Sequence, residues 1–204
     1  MMTKIKFCGL TRAEDIRAAN RLKADYAGFV FWSKSKRYVT RDKASELSEL
    51  LSDGTEAVGV FVDEDIKVVA GLLDDGIIDI AQLHGSEPDD YIRELQKATS
   101  KKVIKAFRVR SEEDIIQAEQ SPADYVLLDA GMGGGVTFDW TLLKEVKRPY
   151  FLAGGLHPGN ASEAVRMLDP YALDVSSGIE TEGIKDERKM AAFTDAVRKE
   201  DQND

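Results

Sequence analysis

The sequence is poor in the residues that build disulfide frameworks and metal clusters. It has one cysteine, Cys8, and two histidines, His84 and His157, in 204 residues, and their spacing matches no metal-ligand motif. A lone cysteine cannot form an internal disulfide, and a chain of this length does not need one for stability. We therefore expect Cys8 to be a free thiol, and we expect the chemistry to need neither a metal nor another cofactor.

Positive charge and long apolar runs are also scarce. The chain has 28 Lys and Arg against 37 Asp and Glu, a net charge of −9, which opposes the long-range attraction that nucleic acids and anionic lipids need. No apolar run approaches the roughly 20 residues that cross a bilayer, and residues 1–8 do not have the pattern of a signal peptide. These absences predict a cytoplasmic protein with no nucleic-acid or membrane partner, in which local donors bind any anionic ligand.

What the sequence does contain is a repeated strand and helix. Short β-rich runs occur at 4–8, 26–31, 57–62, 78–83, 103–107, 125–128, 150–153 and 173–175. Segments with helical spacing lie between and after them, at 13–22, 41–51, 66–73, 89–97, 112–120, 140–146, 161–168 and 187–198. Nearly continuous apolar runs are typical of parallel strands that are covered on both faces.

The regular spacing of these units predicts the fold. Successive strand ends are separated by 21 to 31 residues, and eight right-handed strand–helix units close into a barrel without a free edge. No Pro/Gly/Ser-rich linker divides the chain. We predict an α/β protein, a single-domain (β/α)8 TIM barrel over residues 1–204 with a short frayed acidic tail at 200–204. An open doubly wound sheet is the alternative, because periodicity alone does not report closure.

Two side chains at predicted strand ends are candidates for proton transfer. Catalytic groups in such barrels lie at the C-terminal ends of the strands, where Cys8 ends the first strand and Asp129 follows the sixth. These strands are three positions apart around the ring, so the side chains would face each other. We predict Cys8 as general base and Asp129 as general acid for one substrate. The alternatives are a buried apolar thiol and a carboxylate that caps a helix or anchors a loop.

Small residues after the last two strands predict a phosphate site. Gly154 and Gly155 follow the seventh strand, and Ser176, Ser177 and Gly178 follow the eighth. Such residues leave backbone N–H groups accessible, and these two loops recurrently bind phosphate in barrels. Each group taken alone is equally compatible with a tight turn.

Three further features adjoin the predicted barrel mouth. Arg37, in a cationic run after the second strand, is a candidate clamp for a carboxylate, although such runs are usually solvated. His84 follows the fourth strand, where we expect it to meet ligand and to support the site rather than transfer a proton. The run 131–135 lacks nucleotide-loop spacing, so we interpret it as a loop that folds over substrate, with simple flexibility as the alternative.

Taken together, these residues resemble the phosphoribosylanthranilate isomerases, barrel enzymes of tryptophan biosynthesis, over nearly the whole chain. The motifs that carry the resemblance are Lys6-Phe7-Cys8-Gly9-Leu10-Thr11, Ser35-Lys36-Arg37, Gly59-Val60-Phe61-Val62, Gln82-Leu83-His84-Gly85, Phe138-Asp139-Trp140, Ala153-Gly154-Gly155-Leu156 and Ser177-Gly178-Ile179-Glu180, followed by Gly183 and Lys185-Asp186. The chain departs from the family at Gly133-Gly134-Gly135-Val136, where the family often has Gly-Gly-Thr-Gly.

The resemblance implies an aldose–ketose isomerase that acts on a phosphorylated small molecule. The reaction would be the Amadori rearrangement of N-(5-phosphoribosyl)anthranilate to 1-(2-carboxyphenylamino)-1-deoxyribulose 5-phosphate. Asp129 would protonate the furanose oxygen and Cys8 would remove the C2 hydrogen of the resulting imine. Arg37 would hold the anthranilate carboxylate. The sequence leaves open whether the protein is a monomer or a homodimer.

Two other functions remain as alternatives. One is the analogous rearrangement of the histidine-pathway aminoaldose, for which related barrels resemble a two-aspartate mechanism; Cys8 argues against it. The other is a catalytically silent barrel that only binds a phosphorylated metabolite. The presence of both Cys8 and Asp129 argues against that alternative.

Overall fold

The computed structural model describes residues 2–129 and 140–202. This part of the chain contains eight barrel strands: β1 (Lys4–Cys8), β2 (Tyr26–Val30), β3 (Glu56–Phe61), β4 (Ile80–Leu83), β5 (Lys102–Arg108), β6 (Tyr125–Asp129), β7 (Tyr150–Ala153) and β8 (Ala172–Val175). It also contains seven α-helices: α1 (Ala13–Arg21), α2 (Arg41–Ser48), α3 (Ile66–Asp74), α4 (Asp89–Thr99), α5 (Glu112–Gln120), α6 (Ala161–Leu168) and α7 (Glu187–Asp201). The predicted alternation of strand and helix is confirmed at nearly every position.

The eight strands form a closed parallel barrel. Each strand pairs with the next in the chain, and β8 pairs with β1, in the register that places Lys6 opposite Asp174. The predicted (β/α)8 barrel is therefore confirmed, and the open-sheet alternative is wrong. The extent of a single domain over residues 1–204 stays a prediction.

Alternate residues along each strand fill the barrel interior. This inner core comprises Tyr26, Val58, Ile80, Ile104, Ala106, Leu127, Phe151, Ala153 and Ala172. The intervening strand residues, such as Val126 and Leu128 of β6, pack instead against the surrounding helices. Because side chains alternate in direction along a strand, the inward positions beyond the inner core lie at the C-terminal mouth of the barrel.

The segment after β6 differs from its prediction. Residues Trp140–Glu145 form a 3₁₀ helix rather than an α-helix, with the N–H of Val146 donating to the carbonyl oxygen of Leu143 at 3.2 Å. The tighter helix is typical of short helical pieces. A small unpredicted hairpin, β9 (Glu180–Thr181) with β10 (Ile184–Lys185), lies between β8 and α7.

The C-terminal helix is longer than predicted. It continues to Asp201, past the point where we expected fraying to begin. The Asp201 carboxylate accepts hydrogen bonds from the Thr3 N–H at 3.0 Å and the Thr3 hydroxyl at 2.8 Å, which ties the last helical turn to the start of β1. Within residues 2–129 and 140–202, none of the helices is both long enough and apolar enough to span a bilayer.

Candidate active site

A cavity of about 470 Å³ opens at the C-terminal mouth of the barrel. Its lining comprises Cys8, Val30, Trp32, Ser35, Arg37, Val60, Val62, Gln82, His84, Asp129, Ala153, Gly154, Gly155, Leu156, Asp174, Ser176 and Ser177. Eight of the nine predicted site residues therefore lie around one cavity. The ninth, Gly178, lies directly behind it against Leu156.

Cys8 lies at the end of β1, half-buried in the cavity wall. Its neighbour in the sheet is Gly28 of β2, and a Cβ atom at Gly28 would lie only 2.9 Å from the Cys8 sulfur. The hydroxyl of Ser176 donates to the Cys8 carbonyl oxygen at 2.9 Å. The glycine makes room for the thiol, and the serine ties β1 to the loop that follows β8.

Four charged groups interact with the Cys8 thiol: Lys6, Asp174, Lys185 and Arg37. Burial raises the pKa of the Cys8 thiol and the charge of Asp174 raises it further, while the ammonium groups of Lys6 and Lys185 act in the opposite direction. Lys6 is fully buried and forms an ion pair with Asp174 at 2.8 Å. Burial alone would lower the pKa of Lys6, but the pairing with Asp174 and the proximity of Cys8 raise it. Lys6 therefore stays cationic beside the sulfur.

Asp129 ends β6 and faces the imidazole of His84. The distance from the His84 Nε2 atom to the Asp129 Oδ2 atom is 3.8 Å. On its other side, the Nδ1 atom of His84 lies 3.1 Å from the Gln82 amide nitrogen. If this amide donates to Nδ1, the neutral imidazole carries its proton on Nε2, toward Asp129. This arrangement favours the supporting role that we expect for His84.

Arg37 does not stand in solvent as a free cation. Its guanidinium binds the Glu180 carboxylate through two hydrogen bonds, Nε to Oε1 at 2.6 Å and Nη2 to Oε2 at 2.7 Å. Lys185 donates to the same carboxylate at 2.6 Å. Burial alone would raise the pKa of Glu180, but the two cations lower it. Since a guanidinium has five N–H donors, this pairing leaves three for a ligand.

The loops after β7 and β8 contact each other through glycine. Gly154 and Gly155 have φ angles of 93° and 66°, a region that favours glycine. A Cβ atom at Gly178 would overlap the carbonyl oxygen of Leu156, so only glycine allows this approach. Lys185 fixes the second loop by donating to the Ser176 carbonyl oxygen at 3.0 Å.

Two expectations concern residues outside this description. The run 131–135 lies outside the described residues, as do Phe138 and Asp139 of the family motif.

Among the residues that are described, the structure brings together no group of three or more His, Cys, Asp or Glu side chains that could hold a metal ion.

Comparison with known proteins then decides the family. A model of the N-(5'-phosphoribosyl)anthranilate isomerase family matches residues 5–196. The chain belongs to this family. A relative from Endomicrobium trichonymphae, named N-(5'-phosphoribosyl)anthranilate isomerase, is 45% identical over 202 residues, covering 97% of this chain and 99% of the relative.

Solved structures of phosphoribosylanthranilate isomerases agree with this barrel. The enzyme from Thermotoga maritima superimposes with a TM-score of 0.90 at 35% identity, covering 97% of this chain and all of the other. A second structure, in complex with reduced 1-(o-carboxyphenylamino)-1-deoxyribulose 5-phosphate, has a TM-score of 0.88 at the same identity and coverage. The resemblance inferred from the sequence motifs is therefore confirmed.

Several residues of this isomerase-family site were not singled out in the sequence. Lys6 and Asp174 are charged residues inside apolar strand runs, and a buried charge is unfavourable unless it is paired. That pattern was visible in the sequence and could have marked both residues as a pair. Glu180 and Lys185 belonged to the family motif, but nothing in the sequence showed that Glu180 binds Arg37 or that Lys185 binds Ser176.

Proposed function

We propose that this chain is the phosphoribosylanthranilate isomerase of tryptophan biosynthesis, with Cys8 and Asp129 as its proton-transfer pair. Family membership supports the reaction: isomerisation of N-(5'-phosphoribosyl)anthranilate, an aldosylamine, to 1-(o-carboxyphenylamino)-1-deoxyribulose 5-phosphate, an aminoketose. The observation that carries the residue assignment is that a thiol and a carboxyl group from different strands line one cavity together with Arg37 and the loops after β7 and β8.

The first step is ring opening, which needs an acid. Protonated Asp129 donates to the furanose oxygen as the bond from that oxygen to C1 breaks, and the nitrogen lone pair forms a protonated imine. The His84 Nε2 atom lies 3.8 Å from the Asp129 Oδ2 atom, close enough to support the carboxyl group electrostatically. Holding acid and substrate together in one cavity removes much of the entropic barrier to this transfer.

The second step is loss of the C2 hydrogen as a proton. The iminium cation makes that hydrogen acidic, and the thiolate form of Cys8, which is the minor form at a pH below its raised pKa, accepts it. A thiolate whose pKa is raised by burial is a stronger base than a free one, and Lys6 stabilises its charge. The resulting enolamine then loses its C2 hydroxyl proton and gains a proton at C1, which gives the aminoketose.

Binding requires local donors because the protein itself is acidic. Backbone N–H groups at Gly154, Gly155, Ser177 and Gly178 suit a phosphate dianion, since glycine lets the ligand approach the main chain closely. The guanidinium of Arg37 offers its remaining N–H donors to the anthranilate carboxylate. The two anionic ends of the substrate would then lie on opposite sides of the reacting carbons.

The experiment is a direct assay with freshly formed phosphoribosylanthranilate, following the loss of its fluorescence. We expect Cys8→Ala and Asp129→Asn each to lower kcat by roughly 10²- to 10⁴-fold, the usual contribution of one general acid or base. Asp90→Asn, at an exposed carboxylate of α4, is the matched control and should leave kcat unchanged. Full activity in both site variants would refute the assigned roles.

Two other properties are proposed with this function. We expect no turnover of the histidine-pathway aminoaldose, because the base is a thiol instead of a second aspartate. We expect the protein to work in the cytoplasm, where a free thiol stays reduced, as a monomer or a homodimer. Sedimentation of the purified protein distinguishes the two assembly states.

A further inference from the structure

The floor of the cavity contains two buried oxygen atoms that accept no hydrogen bond from the described residues. Across the residues that the structure describes, the buried side-chain atoms without a hydrogen-bond partner are Gln82 Oε1 and Asp174 Oδ1. Gln82 is 1% exposed and Asp174 is 8% exposed, and both line the candidate active site. Because native proteins rarely bury an unpaired acceptor, two of them in one cavity indicate a ligand that supplies donors.

Each of these side chains is anchored through its other polar atom. Asp174 Oδ2 accepts from the Lys6 ammonium at 2.8 Å, and the Gln82 amide nitrogen lies 3.1 Å from His84 Nδ1. The anchoring fixes both rotamers at one end. The second oxygen of each group is thereby held ready for a ligand without further loss of side-chain entropy.

The two acceptors face each other across the barrel. They lie on β4 and β8, which are four positions apart in a ring of eight strands. Gln82 lies two residues before His84 of the mouth, and Asp174 lies two residues before Ser176. Because residues i and i+2 of a strand point the same way, both acceptors lie one layer deeper in the barrel than the mouth residues. A small ligand between them would be reached from above by Cys8 and Asp129.

The chemistry of the pair selects the part of the substrate that lies there. Two acceptors, one of them an anion, disfavour phosphate and carboxylate and favour hydroxyl groups. The furanose ring of the substrate has two free hydroxyl groups, on C2 and C3. We propose that Asp174 and Gln82 are substrate-binding residues that accept hydrogen bonds from these two hydroxyls; the proposal rests on the proposed function.

The position of Cys8 decides which residue binds which hydroxyl. Asp174 and Cys8 lie on adjacent strands and both interact with Lys6, and Cys8 acts at C2. Asp174 Oδ1 therefore binds the C2 hydroxyl, whose proton must leave when the ketone forms. Gln82, on the opposite wall, binds the C3 hydroxyl, which takes no part in the bond changes and serves recognition.

The test compares two substrates in two enzymes. One substrate is phosphoribosylanthranilate, and the other is its 3-deoxy analogue, prepared from 3-deoxyribose 5-phosphate and anthranilate. We expect the wild type to prefer the first by about 100-fold in kcat/KM, since a site built to bind a hydroxyl rejects the analogue that lacks it. Gln82→Met, which keeps the side-chain length, should reduce that preference to about threefold or less.

A control separates recognition from structural damage. His84→Phe removes the anchor of Gln82 but keeps its oxygen, so it should lower activity on both substrates and retain most of the preference. A Gln82→Met variant that loses the same factor on both substrates would overturn the Gln82 assignment, because coupling between residue and hydroxyl would be absent. A wild type that converts neither substrate would instead refute the proposed function.

Asp174 has its own measurement. In Asp174→Asn the side-chain oxygen would turn to Lys6 and the amide NH₂ to the ligand, so we expect kcat on phosphoribosylanthranilate to fall about 100-fold. The 2-deoxy analogue lacks the reacting hydroxyl and acts only as an inhibitor. It should inhibit wild type and Asp174→Asn equally, and a large difference between the two inhibition constants would overturn this assignment. Gln82→Met leaves the Lys6–Asp174 pair intact and decides the proposal if Asp174→Asn does not fold.

Discussion

The two ends of this barrel are built on opposite principles. At the N-terminal end, Tyr26, Tyr125, Phe151 and Tyr171 fill the interior with ring centroids 5.2 to 5.7 Å apart. The hydroxyls of Tyr26 and Tyr171 bond to each other at 2.9 Å. At the C-terminal end, a cavity of about 470 Å³ replaces the aromatic packing.

The contrast separates stability from function within one fold. The aromatic end has its rings packed and its central hydroxyls paired, whereas the mouth holds glycines in left-handed geometry and two buried acceptors without partners in the described chain. Positive φ angles and buried acceptors without partners are unfavourable in a folded chain, and here they occur where a ligand is expected to complete the site. Changes at the mouth should therefore alter catalysis, and changes at the aromatic end should alter only stability.

Among substitutions that leave the reacting groups and the cavity floor unchanged, the largest effect should come from Gly178→Ala. The added Cβ would overlap the Leu156 carbonyl oxygen and lie 2.9 Å from the His157 Cβ, so the two loops proposed to bind phosphate would have to separate. We expect kcat/KM to fall by about 100-fold, mostly through KM, with stability reduced by about 1 to 3 kcal/mol. Steady-state kinetics and inhibition by inorganic phosphate measure the loss.

Gly71→Ala is the matched control for that substitution. Gly71 lies in α3, where the nearest atom to an added Cβ would be the Arg41 Nη1 at 3.9 Å. This substitution should stabilise the fold by about 0.5 to 1 kcal/mol and leave kcat/KM unchanged. If Gly178→Ala bound phosphate as well as Gly71→Ala does, the role assigned to the loops would be wrong.

A smaller effect is expected when the Glu180 carboxylate that binds Arg37 is neutralised. Glu180→Gln keeps the shape of the side chain but removes the charge that holds Arg37 and Lys185. We expect KM for phosphoribosylanthranilate to rise about tenfold, in line with the loss of a charge-assisted hydrogen bond. The analogue made from aniline, which lacks the carboxylate, should show no rise. Equal losses on both compounds would show that Glu180 only maintains the loop.

The strand ends of this barrel could be predicted from the sequence, whereas contacts between distant residues could not. Strand positions follow from apolar runs, and the strand-end rule then placed Cys8 and Asp129 correctly at the mouth. The partner of Arg37 was not predictable in the same way, because Glu180 is 143 residues away and neither periodicity nor composition encodes long-range pairing. The 3₁₀ helix at Trp140–Glu145 was missed because its apolar spacing also fits an α-helix.

The next effect is a shift in the pKa of the Cys8 thiol, which can be measured without any substitution. Cys8 is the sole cysteine, so alkylation by iodoacetamide reports its thiolate alone. Because burial raises the pKa of Cys8, the alkylation rate of the folded protein should rise at higher pH than that of the urea-denatured chain. A folded midpoint at or below the denatured one would contradict this assignment.

The same shift predicts how stability depends on pH. The unfolded thiol loses its proton near pH 8.5, while the folded thiol still holds it. The stabilisation from Cys8 is therefore complete below that pH and is lost as the pH rises through the folded pKa. Urea unfolding at a series of alkaline pH values should show a decline in unfolding free energy that is smaller in Cys8→Ala.

The smallest effect tests the aromatic end. Tyr171→Phe removes one hydroxyl and leaves the Tyr26 hydroxyl, which is buried with its ring, without the partner that it has at 2.9 Å. We expect the unfolding free energy to fall by about 1 kcal/mol, measured by urea denaturation, while kcat and KM keep their wild-type values. A change in kcat without a change in stability would mean that the two ends are coupled, because the substitution lies at the end of the barrel opposite Cys8 and Asp129.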